Sequence, residues 1–212
     1  RDSHMTYVFT GDGCLMEGIS HEACSLAGTL GLGNLIILYD DNDISIDGNV
    51  EGWFTEVIPK RFESYGWEVI PNVDGHNFEE IDKAIIKSKS NTDKPTLICC
   101  KTVIGKGSPN MSGTAAAHGA ILDPDEIILT RKELNWPNDP FDIPQEVYED
   151  WDARNTGNLK EEDWNKVLEE YTSENPELSC ELKRLIAGDL PDRIEDSIFS
   201  FIEEIQKDLP NM

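Results

Sequence analysis

The sequence predicts an α/β fold, in which a parallel β-sheet carries helices on both faces and is followed by a mainly helical acidic segment. Three observations support this prediction. Short apolar runs with the length of buried strands alternate with longer segments of helical spacing. The strand-like runs end in glycine, aspartate or asparagine, residues that suit the ligand-binding edge of a parallel sheet. From about residue 121 the pattern becomes helical and strongly acidic.

The alternation of strands and helices covers residues 6–102. A strand over 6–10 leads into Gly11-Asp12-Gly13, and residues 17–30 have the apolar spacing of a helix. The next apolar run, 35–39, follows that helix, so the unit is βαβ and its two strands are predicted to be parallel. The series continues with a helix over 56–65, a strand over 67–70, a helix from Phe78 and a strand over 96–102. Asn77 and Glu80 are spaced like a capping box at the start of the Phe78 helix.

The acidic segment is predicted to be a set of helices separated by turn residues. Residues 121–212 hold 25 acidic and 9 basic residues (net −16), whereas residues 1–120 hold 17 and 9 (net −8). Helices are expected near 124–134, 145–152, 160–172, 176–187 and 192–207, with breaks at prolines and at 155–157. We expect residues 1–5 to be an expression-vector remnant, 6–122 to belong to the α/β domain and 123–212 to be a helical extension.

Composition excludes several classes of partner and location. The formal net charge of −24 repels nucleic-acid phosphates and anionic lipid, and no basic stripe reverses this locally. The most apolar runs, 35–39 and 96–100, are far shorter than the roughly 20 residues of a membrane span. Five cysteines form no disulfide framework, and Cys99 and Cys100 are expected to be buried thiols on opposite faces of one strand. We therefore predict no nucleic-acid or membrane partner and a cytoplasmic location.

The first candidate site is Gly11-Asp12-Gly13, which lies between a predicted strand and a predicted helix. Glycine lets a ligand phosphate approach the backbone N–H groups, but a bare carboxylate there would repel it. The arrangement makes chemical sense if Asp12 holds a divalent cation that a diphosphate also binds, with Asn42 at the next strand end as a further oxygen ligand. The alternative is a tight turn with an aspartate that caps the helix.

The residues around these two positions resemble transketolase, a thiamine-diphosphate-dependent family. Gly-Asp-Gly is followed about thirty residues later by Asp-Asp-Asn, with a helix and a strand between them. The runs 11–30 and 39–48, which surround these motifs, are similar in sequence to transketolases. The likeness continues through residues 61–67, 74–76, 101–110, 118–120 and 141–144, and weakens in the acidic helices. The resemblance implies the thiamine-diphosphate-binding fold, here incomplete.

The resemblance implies a role for individual residues. The cation ligands would be Asp12, Asn42 and the backbone carbonyl of Ile44, and the cation would be Mg²⁺, with Ca²⁺ and Mn²⁺ as alternatives. Gly13 would contact the diphosphate. The matching positions further along the chain are His118, a catalytic residue near both diphosphate and substrate, and Ile104, an apolar neighbour of the thiazolium ring.

Two further positions bear on the resemblance. Glu17 matches a glutamate at the subunit interface that links two active sites, although a first-turn glutamate favoured by the helix dipole is an equal alternative. Many relatives carry a histidine three residues before the His118 position, and this chain has Ala115 there. A substrate contact of the family is therefore expected to be weakened or missing.

The implied activity is transfer of a two-carbon ketol unit from a ketose phosphate to an aldose phosphate by means of thiamine diphosphate. Transketolases bind the cofactor between this domain and the pyrimidine-binding domain of a partner subunit, which is not recognisable in the sequence. We therefore expect sugar-phosphate substrates, a dimeric parent enzyme and dependence on the remaining transketolase segments, with no activity of the chain alone. The alternative is a non-catalytic folded fragment or assembly module without useful cofactor binding.

Other motifs are weaker. His21-Glu22-Ala23-Cys24 begins like a zinc helix but lacks the second histidine. Residues 41–52 and 152–163 resemble calcium loops but carry the wrong residues at ligand positions, and we interpret both as ordinary turns. His76, which follows Asp74-Gly75, is interpreted as a turn residue, and no nucleotide-binding motif is present.

Overall fold

The strands of the computed structural model, which describes residues 4–208, form a parallel sheet in the order β1-β2-β6-β5. The chain divides into two compact units, the first reaching Pro137 and the second beginning at Asn138. The elements of the first unit are β1 (Thr6–Gly11), α1 (Asp12–Met16), α2 (Gly18–Thr29), β2 (Leu35–Asp41), β3 (Ile44–Ser45), β4 (Gly48–Asn49), α3 (Ile58–Ser64), β5 (Glu68–Asp74), α4 (Phe78–Lys89), β6 (Thr96–Lys101), a 3₁₀ turn (Ala115–His118) and α5 (Pro124–Glu133).

The sheet has a hydrophobic core on each face. Strand side chains alternate between the faces, so Tyr39 and Cys99 belong to one core and Leu38 and Cys100 to the other. The first core is closed by α1, α2 and α3, whose contributions include Leu15, and the second by α4. Helices on both faces of a parallel sheet confirm the predicted fold class.

Helix α2 packs closely on the chain that leads into β5. The indole N–H of Trp67 donates to the backbone carbonyl of Cys24 at 2.8 Å. A Cβ atom at Gly28 would lie 1.9 Å from the carbonyl oxygen of Tyr65, so only glycine fits there without a shift of backbone. This close approach fixes the height of α2 over the sheet.

Four local features differ from the sequence prediction. β5 continues to Asp74 although Pro71 and Asn72, which has a φ of 57°, interrupt its regular pairing with β6. The interruption is tolerated because β5 is an edge strand. A separate helix α1 precedes α2, and β3 pairs with β4 in a short hairpin. The Asn77 side chain caps α4 by accepting from the N–H groups of Glu79 and Glu80, but the Glu80 carboxylate reaches the N–H of Asp74 and so does not complete a capping box.

The first unit extends beyond the change in charge at residue 121 because α5 is bound to the loop after β6. The buried carboxylate of Glu126 accepts hydrogen bonds from the Ser108 hydroxyl and from the backbone and side-chain N–H groups of Asn110. These donors hold the pKa of Glu126 below its ordinary value. The charge boundary and the structural boundary therefore differ by one helix.

The expectation of a vector remnant over residues 1–5 concerns the origin of these residues and stays a prediction. Met5 packs against the second core, so it contributes to the fold. Residues 1–3 lie outside the described part of the chain.

The second unit is helical, as predicted. Its elements are α6 (Gln145–Trp151), α7 (Arg154–Glu174), α8 (Pro176–Ala187) and α9 (Ile194–Asp208). The prediction of a turn over 152–163 is wrong, because α7 begins at Arg154 and continues through Gly157, whose N–H donates to the Ala153 carbonyl at 2.7 Å. Within residues 4–208, none of the helices combines the length and apolarity needed to cross a membrane.

Thiol reagents should distinguish the five cysteines, all of which are free. Burial raises the pKa of Cys99 to about 12 and also raises that of Cys100, whereas Cys14 and Cys180 are exposed. We expect a charged disulfide reagent to modify Cys14 and Cys180 quickly in the native chain and the other three only after unfolding. Rapid modification of Cys99 or Cys100, located by mass spectrometry, would contradict the buried-strand assignment of β6.

Candidate functional site

The carboxyl ends of β1, β2 and β6 meet at one edge of the sheet. In the strand register Gly11 lies beside Asp40, which lies beside Cys100, and Asp41 lies beside Lys101. The residues that follow each strand are therefore neighbours, and ligands of parallel α/β folds gather at such an edge. The hairpin strand β3 lies against α1 and against the 3₁₀ turn, so those segments border the same place.

Asp12 is the buried acid of this edge, at 4% exposure. One carboxylate oxygen accepts a hydrogen bond from the Tyr39 hydroxyl, and the other, Oδ2, is buried without a hydrogen-bond partner. Burial raises the pKa of Asp12, and the charges of Asp41, Asp43 and Asp40 raise it further against the opposing effect of Tyr39. An unpartnered buried carboxylate oxygen in an acidic setting is costly, and a cation would relieve that cost.

A cavity of about 230 Å³ opens beside Asp12. Its polar walls include Tyr39, Asp41, Asp43 and Lys101. The Lys101 ammonium lies 2.9 Å from an Asp41 carboxylate oxygen and 3.6 Å from Asp43. Although burial acts to lower the pKa of Lys101, these two carboxylates raise it, so the lysine stays charged and offsets part of the acidic field.

The other two predicted cation ligands follow β2: Asn42 lies directly after the strand, and Ile44 begins β3. The Asn42 amide donates to an Asp40 carboxylate oxygen at 2.9 Å, and its Oδ1 accepts from the Ile44 N–H at 2.9 Å. An amide oxygen has a second lone pair, so Oδ1 keeps one acceptor position for a cation. Asp43, between them, has a φ of 61°, which turns the chain so that Asn42 and Ile44 are held together.

The backbone around Asp12 is open to a ligand. A Cβ atom added at Gly11 or Gly13 would meet no atom within 4 Å. Gly13 is exposed, and so is Glu17, which separates α1 from α2 with an extended backbone. The predicted diphosphate position at Gly13 is therefore accessible, and the interface role of Glu17 stays a prediction.

The segment 103–118 brings the remaining predicted residues toward β3. A Cβ atom at Gly105 would lie 2.8 Å from the Ala117 side chain, so the chain next to Ile104 packs on the 3₁₀ turn that ends at His118. Ile104 is half-buried and His118 is exposed. Ala115, at the position where relatives carry histidine, begins the same turn.

Sequence reasoning missed three side chains at this edge. Tyr39 was expected only as a buried strand residue, and Lys101 was noted only as part of a motif. Arg61 was also missed: it donates to the Leu15 carbonyl of α1 at 3.0 Å, lies 3.0 Å from the His21 ring and pairs with Glu56. The charge of Lys101 and the alternation of side chains along β2 and β6 could have indicated that Tyr39 and Lys101 lie near the site. The sequence around Arg61 contains no such signal.

The weaker motifs have structural explanations. His21 contacts the Tyr65 hydroxyl at 3.0 Å as well as Arg61, so its ring belongs to the packing of α2 on α3. The residues of 41–52 form the β3–β4 hairpin. Within residues 4–208 no cluster of three or more histidine, cysteine, aspartate or glutamate side chains is arranged to hold a metal ion. A cation at Asp12 would therefore depend on amide, carbonyl, diphosphate or water oxygens for its other ligands.

This donor set fits Mg²⁺. The ion prefers oxygen ligands, is commonly held by one or two protein carboxylates and takes the rest from phosphate and water. Asp12 supplies one carboxylate with an unpartnered oxygen, and Asn42 and Ile44, which follow β2, would supply an amide and a backbone carbonyl oxygen. The chemistry of the residues is compatible with the predicted cation.

Replacing Tyr39 by Phe should weaken cation binding without unfolding the chain. Burial and the neighbouring Asp12 raise the pKa of Tyr39 far above its usual range, so its hydroxyl is a constant donor that orients Asp12. Loss of such an orienting partner typically lowers metal affinity about 10- to 100-fold. Terbium luminescence titration would measure the change, and an unchanged affinity in the variant would show that Tyr39 does not orient Asp12.

Comparisons with known proteins give matches over most of the chain. Residues 2–191 match the family "Transketolase, thiamine diphosphate binding domain". The chain is 57% identical over 209 residues to transketolase 2 of Vibrio vulnificus and 54% identical to transketolase 1 of Pasteurella multocida, in each case over 99% of this chain and 31% of the relative. It thus spans about a third of the length of these curated relatives.

Solved structures show the same likeness. A transketolase from Pichia stipitis in complex with sedoheptulose 7-phosphate superposes with a TM-score of 0.79 at 44% identity, covering 89% of this chain and 28% of that one. The transketolase of Leishmania mexicana gives 0.82 at 34% identity, covering 90% and 29%. By its sequence and its fold, this chain belongs to the transketolase family, in the thiamine diphosphate binding domain.

Proposed function

We propose that this chain supplies the cation and diphosphate half-site of a transketolase, which transfers a two-carbon ketol unit from a ketose phosphate to an aldose phosphate. The observation that carries the proposal is the buried Asp12 carboxylate with an unpartnered oxygen at a sheet edge whose backbone is open at Gly13. That combination serves a cation shared with an anionic ligand and is costly without one.

The residues would divide the work as follows. Asp12, Asn42 and the Ile44 carbonyl hold Mg²⁺, and Gly13 admits the diphosphate. Tyr39 holds Asp12 in place. Thiamine diphosphate, when bound, supplies the carbon chemistry, while the protein contributes binding, orientation and electrostatics.

The segment 103–118 would complete this side of the site. Ile104 provides an apolar contact for the cofactor ring, and the packing of Gly105 on Ala117 keeps it next to the turn that carries His118. His118 acts on the substrate side, where its exposed ring can donate to or accept from a sugar phosphate. Ala115 cannot hydrogen-bond substrate through its side chain, so we expect the sugar to be held there by fewer contacts.

Activity would require chain segments in addition to these residues, because the relatives are about three times longer. Two apolar side chains of the edge strand β1 lie on the α4 face and are exposed, Tyr7 at 41% and Phe9 at 79%. Such exposed apolar surface favours burial against further protein. We propose that it is covered by the remaining transketolase segments in a dimeric enzyme. The five free cysteines support the further proposal of a cytoplasmic location.

A chimera tests the proposal. This chain would replace the matching 31% of Vibrio vulnificus transketolase 2, and ketol transfer between sugar phosphates would be measured for the chimera and for the chain alone. We expect turnover only in the chimera, and its loss when Asp12 is changed to Asn. A folded, dimeric chimera without turnover would contradict the proposed function, and turnover by the chain alone would contradict its dependence on other segments.

A further inference from the structure

The turn after β5 is docked on the end of β6 by closely fitted contacts. The Gly75 N–H donates to the Lys101 carbonyl at 2.9 Å. A Cβ atom at Gly75 would lie 2.5 Å from the Thr102 side chain and 3.0 Å from the Lys101 carbonyl oxygen. The turn itself is fixed by Asp74, whose carboxylate accepts from the His76 N–H at 2.9 Å. The His76 ring is thus carried on a rigid support beside residues 101–103.

The ring makes a hydrogen bond that spans 27 residues of sequence. Its Nε2 accepts from the backbone N–H of Val103 at 2.8 Å. Because a backbone N–H can only donate, Nε2 must carry a lone pair, so the neutral ring has its proton on Nδ1. His76, which the sequence predicts to be a turn residue, therefore accepts a hydrogen bond from a backbone N–H group that is distant in sequence.

The position of Val103 explains why a side-chain acceptor is needed there. The β6 ladder ends at Lys101, and the next N–H, of Thr102, still reaches the Asp41 carbonyl of β2 at 3.3 Å. Val103 is one residue beyond that, where the sheet ladder no longer provides a carbonyl. Immediately afterwards the chain turns, and the Ile104 carbonyl accepts from the Gly113 N–H at 2.8 Å.

We propose that His76 is a positioning residue that fixes the direction in which the chain leaves β6, and thereby the placement of Ile104 in the cofactor site. The hydrogen bond to Val103 is independent of function, whereas its consequence for the cofactor rests on the proposed function. In this role His76 acts through the segment that begins at Val103.

Two substitutions at His76 separate the effect of the hydrogen bond that Nε2 accepts from the effect of ring packing. His76→Gln places an amide oxygen near the position of Nε2 and so keeps a hydrogen-bond acceptor. His76→Phe keeps an aromatic ring of similar shape that has no acceptor. The first readout is nuclear magnetic resonance of the ¹⁵N-labelled 212-residue chain, measuring the coupling between the Val103 and His76 Nε2 nitrogens across the hydrogen bond and the exchange rate of the Val103 amide. The Trp67 amide, which donates to the Phe62 carbonyl at 3.1 Å, is the reference for general loosening.

In the wild-type chain we expect a measurable nitrogen–nitrogen coupling. Val103 exchange should rise about 3- to 10-fold relative to Trp67 in His76→Phe and return close to the wild-type rate in His76→Gln. Absence of the coupling, wild-type exchange in His76→Phe, or equal acceleration of Val103 and Trp67 would each overturn the positioning role.

The second readout is binding of thiamine diphosphate with Mg²⁺, accompanied by terbium luminescence at Asp12. We expect His76→Phe to weaken thiamine diphosphate binding about 3- to 10-fold, His76→Gln to restore it, and both variants to keep wild-type terbium affinity. Equal affinity of all three proteins for thiamine diphosphate would overturn the consequence for Ile104. If the wild-type chain bound no thiamine diphosphate, the half-site assignment would fail, while the coupling and exchange would still decide the role of His76.

Discussion

Replacing Asp12 by Asn should raise the melting temperature of the cation-free chain at neutral pH and abolish its cation binding. The variant keeps an oxygen that can accept from Tyr39 and removes the buried charge. Because loss of an outer hydrogen-bond partner of a metal ligand typically lowers affinity 10- to 100-fold, loss of the charged ligand itself should lower it more than about 100-fold. Stability and function at this residue are therefore expected to change in opposite directions.

The pH dependence of this effect follows from the direction of the pKa shift. Burial raises the pKa of Asp12 above its ordinary value of 3.8, so the folded state holds a proton that the unfolded chain releases. Below pH 3.8 the group is protonated in both states and costs nothing, and stability is lost as pH rises through the folded-state pKa. The advantage of Asp12→Asn should accordingly be largest near pH 7 and shrink toward pH 4.

Thermal unfolding in the presence of a chelator, at a series of pH values, measures this advantage. Asp82→Asn, an exposed change on α4, is the matched control and should leave the melting temperature nearly unchanged. A lower melting temperature for Asp12→Asn at pH 7 would show that the Asp12 carboxylate stabilises the cation-free fold, contrary to the account given above.

Replacing Gly28 by Ala should destabilise the first unit by about 3 kcal/mol or more, the upper end of overpacking effects. Alanine is the better helix former by about 1 kcal/mol, but its Cβ would lie 1.9 Å from the Tyr65 carbonyl oxygen and 2.9 Å from the carbonyl carbon. Because these atoms belong to backbone that leads into β5, α2 must lift away from the sheet. Lifting α2 would also strain the 2.8 Å hydrogen bond from Trp67 to Cys24.

Gly18→Ala in the same helix is the matched control for this prediction. A Cβ atom at Gly18 would meet no atom within 4 Å, so this substitution should be neutral or stabilise by a few tenths of a kcal/mol to about 1 kcal/mol. Urea unfolding followed by tryptophan fluorescence would report both variants. Similar stabilities for Gly28→Ala and Gly18→Ala would contradict the close packing of α2 on the chain around Tyr65.

Elements with a strong apolar pattern could be predicted from the sequence, and elements defined by tertiary contacts could not. β2 and β6 are continuous apolar runs, and both lie in the centre of the sheet. The end of β5 was missed because Pro71-Asn72 interrupts the pattern, while pairing with β6 resumes at Val73. The predicted α7 is too short because Gly157 has a low helix propensity. In the structure the helix runs through Gly157 from Arg154 to Glu174.

The site could be predicted where a short motif carries its chemistry. Gly11-Asp12-Gly13 and Asn42 follow strands that are adjacent in a parallel sheet, so their placement at the same edge follows from topology, and their joint role as cation ligands stays a prediction. The roles of Tyr39 and His76 depend on hydrogen bonds between residues far apart in sequence, so a local pattern can at most indicate the position of Tyr39 and not its partner. These contacts become visible only when the register of the strands and the turn after β5 are known.

The most direct test of the half-site is calorimetric titration of thiamine diphosphate into the chain with and without Mg²⁺. The account predicts saturable binding that requires the cation, is lost in Asp12→Ala and is retained in the exposed control Asp82→Ala. Absence of binding in the wild-type chain, or binding that survives Asp12→Ala, would contradict the assignment of Asp12 as the residue on which the cation and diphosphate depend.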